Sequence, residues 1–182
     1  MYQNEFEHAI ERTKSFNLDF PEVNYRTDTL LSDEKMAVFP NILRDNVGEI
    51  NINDLVAQCL FIHHKLRGPI SRIFSSSCYF TIGHVETNDR LMFHQSEDNL
   101  KDILQNGIKG NTSDIHAWLT LPTMEILDFS LPTSYAILNN LQEGRGAIIA
   151  THPDTLKQGM KYHPMLIGDD FLKKSGGLVE FN

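Results

Sequence analysis

Cysteine, tryptophan and positive charge are all scarce in this chain: two cysteines, one tryptophan, and 16 basic residues against 24 acidic ones, for a formal charge of −8. Each shortage excludes something. Cys59 and Cys78 cannot form the disulfide framework that holds small secreted domains together. An acidic chain with no basic stripe repels a phosphate backbone, so no nucleic-acid partner is expected. The longest apolar runs, such as Gly146-Ala-Ile-Ile-Ala150, fall far short of the ~20 residues that cross a bilayer, and no membrane partner is expected either. The opening Met1-Tyr-Gln-Asn-Glu-Phe-Glu-His8 lacks the basic start and apolar stretch of a secretory signal, which makes the cytoplasm the expected location. No Gly-x-Gly-x-x-Gly or Walker pattern occurs, and Gly107-Ile-Lys-Gly110 is too short to cradle a phosphate.

What remains suits one ordinary folded domain. The chain has 182 residues, 41% hydrophobic and 22% charged, enough to bury a core and too apolar for intrinsic disorder. The expected layout is a single domain over 1–182, with a helical or irregular part at 1–50, a core carrying the chemistry at 51–150, and a C-terminal extension at 151–182.

Phe6, Ala9, Ile10 and Phe16 suit an amphipathic helix over 3–16. Residues 25–50 read as extended or excursion structure, because Pro40 limits the helix that Ser32-Asp-Glu-Lys would begin. Leu55, Cys59, Ile62 and Leu66 predict a helix from Asn53 to Leu66 that stops at Gly68-Pro69, with a second short helix over 70–74. Composition then turns β-rich over Cys78–Glu86, with a return strand at Arg90–His94 after Asn88-Asp89. A capped helix follows over Ser96–Gln105. Strands are expected at Ile115–Leu121 and Glu125–Phe129 across Pro122-Thr-Met, a helix from Leu131, and a strand at Gly146–Ala150. Helices come first and a sheet with interspersed helices follows. The expected class is α+β, with N-terminal helices packed on a mainly antiparallel β-sheet.

The residues that suggest chemistry lie on the hairpin. A thiol enzyme needs a cysteine thiolate, an imidazole that holds or moves its proton, and a carboxylate that orients the imidazole. His116 and Asp128 lie 12 residues apart, so a turn centred near Pro122-Thr123 would set them opposite one another across a ladder.

His116-Ala-Trp118 followed by Asp128-Phe-Ser resembles the His-x-Trp … Asp-x-Thr hairpin of the transglutaminase-like superfamily of papain-related thiol enzymes. Gly83, which follows Cys59 by 24 residues, matches the glycine that precedes the His strand in that family. The resemblance covers roughly residues 54–130. It implies a transglutaminase-like architecture with Cys59 as nucleophile, His116 as base, Asp128 as orienting acid and Trp118 as a wall of the site. Gln58 and backbone N–H groups near Cys59 would hold an oxyanion. The implied substrate is a protein, peptide or other amide, and no cofactor or metal is called for. The family places a turn residue just before its cysteine, whereas Leu55-Val-Ala-Gln58 reads as helix interior.

Other readings stand beside this one. Cys59 lies on an apolar stripe and suits a small core residue. Cys78, at the start of a strand, is a reserve nucleophile. The scaffold would serve equally as a catalytically inactive binding module. A metal hydrolase would draw on His84 and His94, facing each other across a hairpin, with His116 as third ligand. His63-His64, His152 and His163 show no metal-ligand spacing. The C-terminal phrase Tyr162-His-Pro-Met-Leu-Ile-Gly-Asp-Asp-Phe171 is rich in polar and aromatic groups and suits the lining of a cleft or the cover of a sheet edge.

Overall fold

A computed structural model describes residues 1–48, 58–88, 90–108, 115–157 and 159–177. The class is α+β. A curled antiparallel sheet is formed by β1 (Tyr79–Thr87), β2 (Arg90–Met92), β3 (His116–Thr120), β4 (Ile126–Asp128), β5 (Ile149–Thr151) and β6 (Lys161–Ile167). Helices α1 (Tyr2–Ser15), α2 (Asp33–Met36), α3 (Phe39–Val47), α4 (Cys59–Phe74), α5 (Glu97–Asn106), α6 (Leu131–Leu138) and α7 (Asp170–Ser175) surround it. Among the described residues no helix is long and apolar enough to cross a membrane.

Two helical expectations need correction. Pro40 sits in the first turn of α3 instead of barring it, because N–H groups there have no intrahelical acceptor to lose. The stretch expected to be extended therefore holds both α2 and α3. The second correction positions the site. The helix expected from Asn53 starts at Cys59, with Gln58 as its N-cap; positions 53–57 lie outside the described residues. It then runs through Gly68-Pro69 to Phe74 as one element. Pro69 costs a hydrogen bond, but Ile62, Leu66 and Ile70 are fully buried along one stripe, with Phe74 nearly so. Each such burial contributes about 1.5–3 kcal/mol, which outweighs the missing bond.

The sheet runs β2-β1-β3-β4-β5, and β6 pairs with the remaining edge of β1. β3 pairs with β1 over Tyr79–Gly83 and β2 pairs over Val85–Thr87. They therefore occupy successive stretches of one β1 edge, while β6 runs along the other. The return strand is shorter than expected because Phe93, where it would meet the start of β3, turns out of the ladder with φ +63°. The strand expected at Gly146–Ala150 forms at Ile149–Thr151.

One face of the sheet presents Phe80, Ile82, Ala117, Leu119 and Leu127 to the stripe of α4. The other presents Tyr79, Val85, Trp118 and Ile126 to Tyr2 and Phe6 of α1. On that second face Trp118 Nε1 donates to the Tyr2 hydroxyl at 2.7 Å, which in turn pairs with Thr120 Oγ1 at 2.9 Å. A sheet edge left open invites pairing with other chains, and here α1 covers β6. Thr13 Oγ1 accepts from the Ile167 N–H at 2.9 Å, and Arg12 donates to the Met165 carbonyl at 3.0 Å.

Candidate active site

The hairpin forms by a three-residue turn, Pro122-Thr-Met124. Leu121 N–H donates to the Glu125 carbonyl at 2.8 Å, and Met124 takes the left-handed conformation at φ +64°. Register pairs are Leu119 with Leu127 and Thr120 with Ile126. Continuing that register sets Asp128 level with Trp118, so the expected direct opposition of His116 and Asp128 is off by two residues. The two residues still share a face and meet on the diagonal, a reach open to longer side chains. His116 Nε2 lies 2.6 Å from Asp128 Oδ2. Both side chains are buried.

The carboxylate is saturated. Its Oδ1 accepts from the Ser130 N–H at 3.0 Å, the Ser130 hydroxyl at 3.2 Å and the Leu131 N–H at 2.9 Å. Its Oδ2 accepts from His116 and from the Tyr162 hydroxyl at 2.9 Å. Burial by itself would drive Asp128 toward its neutral form. The charge and hydrogen bond of His116, then His63 and the Leu131 N–H, overcome this and hold it well below the usual carboxylate range. Burial would likewise strip the proton from His116, but Asp128 and, to a lesser degree, the Cys59 sulfur reverse this and raise the ring to about 10. With Nε2 on the carboxylate, Nδ1 is the buried ring nitrogen left without a hydrogen bond.

Cys59 comes to this pair from α4. It is 7% exposed, and its Sγ donates to the carbonyl of Ile115, the residue just before His116, at 3.4 Å. As the first helical residue it stands where backbone N–H groups have no intrahelical acceptor and the helix dipole favours negative charge. The departure expected from Leu55–Gln58 therefore does not displace the sulfur from the helix start. Gln58 is the N-cap and makes no side-chain capping bond. Trp118 is fully buried beneath His116, with ring centroids 5.9 Å apart.

Two participants escaped the sequence reading. His63, one helical turn beyond Cys59, is fully buried. Its Nε2 accepts from the Phe129 N–H at 2.9 Å, so its Nδ1–H donates to the Cys59 carbonyl at 2.7 Å. Burial lowers its pKa to about 4, with His116 lowering it further against the pull of Asp128. A neutral ring thereby ties the helix of Cys59 to the chain just after Asp128. Its position four residues from Cys59 was the available signal. Tyr162, from β6, falls in the C-terminal phrase expected to line a cleft or cover a sheet edge, but nothing in that phrase marks it as a donor to Asp128.

The remaining candidates separate from this cluster. Cys78 is buried in the core at the foot of β1, where burial pushes its thiol up to about 12 despite Arg67. His84 and His94 do meet, at 4.7 Å between ring centroids, but the third imidazole is His163, stacked on His84 at 4.8 Å. Gly83 is the register partner of His116, so the next residue, His84, projects from the opposite face. Among the described residues no group of three or more such side chains is placed to hold a metal ion.

The cluster is covered by Phe93, whose ring stacks on His116 at 5.0 Å and 24°. Replacing Phe93 with alanine should speed alkylation of Cys59 by a bulky maleimide more than by iodoacetamide. Equal rates in variant and wild type would mean that Phe93 does not limit access. Chemically, the arrangement offers a sulfur at a helix start, an imidazole with one nitrogen held by a buried carboxylate and the other unpaired, and nearby N–H dipoles. Compared with models of known families, curated proteins and solved structures, the chain matches none.

Proposed function

We propose that this chain is a cysteine-dependent acyl-transfer or amide-hydrolysing enzyme of transglutaminase-like architecture. The observation that carries this reading is Cys59 at the first turn of α4, next to a His116 ring whose Nε2 is held by buried Asp128 and whose Nδ1 is unpaired. In the resting pair His116 Nδ1 already holds the thiol proton, as an imidazolium beside the Cys59 thiolate. The thiolate attacks an amide or thioester carbonyl, a C–S bond forms, and the carbonyl electrons move onto oxygen, which is held by N–H groups at the start of α4 and by Gln58. Collapse of the oxyanion breaks the bond to the leaving nitrogen or sulfur, which receives the proton from Nδ1. Water or an amine, deprotonated by the same nitrogen, then attacks the thioester and releases Cys59. Asp128 keeps the ring in the required tautomer throughout.

The test is the alkylation rate of Cys59 by iodoacetamide across pH 4–9 in wild type and His116→Ala. Rapid reaction below pH 7 that falls at least tenfold in the variant is the expected result. A Cys59 that titrates like a free thiol, near ~8.5, in both proteins would overturn it.

The burial of the cluster, with His116 only 1% exposed, supports a second reading, a binding module on the same scaffold. That reading expects a slow, unactivated thiol and ligand binding unchanged by His116→Ala.

A further inference from the structure

Asp128 Oδ2 serves two donors from different strands: His116 on β3 at 2.6 Å and Tyr162 on β6 at 2.9 Å. The other oxygen is occupied by the Ser130 and Leu131 groups, so neither donor has a second site on the carboxylate. Tyr162 is 2% exposed, and its ring stands edge-on to Trp118, with centroids 4.9 Å apart at 77°. The hydroxyl is thus fixed in place. β6 carries Tyr162 opposite Val85 on β1, two residues beyond Gly83, the partner of His116. The aromatic C-terminal phrase singled out in the sequence reaches the Asp128 carboxylate through this hydroxyl.

We propose that Tyr162 is a positioning residue that sets how strongly Asp128 holds a proton on His116, by competing with the imidazole for the same carboxylate oxygen. This rests on the assignment of His116 and Asp128 as base and orienting acid. A donor on Oδ2 withdraws negative charge from the atom that faces the imidazolium. It also stops the carboxylate from rotating. Burial and the neighbouring Asp128 charge both keep the phenol protonated, so Tyr162 donates over the whole working pH range. The geometry therefore gives the pair a ceiling on its proton affinity, and the thiolate–imidazolium state a corresponding upper pH limit.

The experiment follows the ring resonances of His116 by NMR in protein labelled at histidine, titrated to high pH, beside the Cys59 alkylation profile. Tyr162→Phe keeps the ring and removes the donor. The His116 midpoint is expected to rise by about half a unit to one unit. Site-specific 3-fluorotyrosine at position 162 keeps the hydroxyl and makes it a stronger donor, so the midpoint should fall. This second variant preserves packing and serves if Tyr162→Phe does not fold. A midpoint that stays within about 0.2 of wild type in the variants, or moves the opposite way, would reduce Tyr162 to packing. If instead His116→Ala leaves Cys59 reactivity unchanged while the Tyr162 shifts occur, the thiol chemistry fails and the coupling stands.

Discussion

Replacing Asp128 with alanine is expected to destabilise the fold by about 3–5 kcal/mol, lowering the unfolding midpoint by roughly 6–20 °C for a chain of this size. The loss is large because the carboxylate is fully buried and accepts from His116, Tyr162, Ser130 and Leu131 at once. Alanine leaves the Tyr162 hydroxyl and two backbone N–H groups dry and unpaired. His116 then loses its proton, since burial favours its neutral form, and this keeps the cost from growing further. Asp128→Asn retains the volume and an acceptor and should recover part of the loss. Thermal unfolding followed by circular dichroism measures both, and a midpoint within 2 °C of wild type for Asp128→Ala would contradict this account.

The same pair gives stability a pH window. Asp128 is held below its unfolded value, so its contribution is present above ~4 and is lost as pH falls. His116 is raised to about 10, so its contribution is complete below ~6.5 and drains away as pH rises toward that value. Stability from the pair should therefore plateau between pH ~4 and ~6.5, and the fall on the alkaline side should vanish in His116→Ala.

Gly83→Ala should be comparably severe, for a steric reason. A Cβ at Gly83 would lie 2.1 Å from the His163 carbonyl oxygen and 2.6 Å from the Trp118 ring. The first obstacle is backbone of β6 and the second a fully buried indole, so neither yields cheaply. Ordinary overpacking costs about 1–3 kcal/mol; pressing on two strands at once belongs at or above the top of that range. Because Gly83 is the register partner of His116, the strain falls on the candidate base as well. Unfolding midpoints together with the pH profile of Cys59 alkylation would register both effects. A variant with wild-type stability and profile would show that the three strands are free to separate locally.

How much of this could be read from sequence depends on distance along the chain. The α5 cap at Ser96, whose side chain accepts from the Asn99 N–H at 3.2 Å, was visible because caps are local. So was the hairpin bearing His116 and Asp128. Its register differs from the expected opposition by two residues, because the decision lies with Met124, a non-glycine residue in a left-handed conformation that carries no turn signature. Pro69 misled because tertiary burial of Ile70 and Phe74 outweighs a local rule. β6 was missed altogether as a strand. Tyr162, Pro164 and Leu166 do alternate with less buried residues, but Pro164 argues locally against a strand and the partner that β6 pairs with lies some eighty residues earlier. With β6 unrecognised, the phrase headed by Tyr162 could not be brought to Asp128 as its second donor.

That late strand also orders events in time. The groups around Asp128 come from α4, β3, β4 and β6, and β6 cannot pair until the ribosome has released residues up to Ile167. Loop closure between β6 and β1 spans most of the intervening chain, a slow and entropically costly step. α1 has no edge to lie along until the same moment. Until β6 docks, the carboxylate of Asp128 lacks its tyrosine donor. The candidate site is therefore complete only once β6 has joined the sheet.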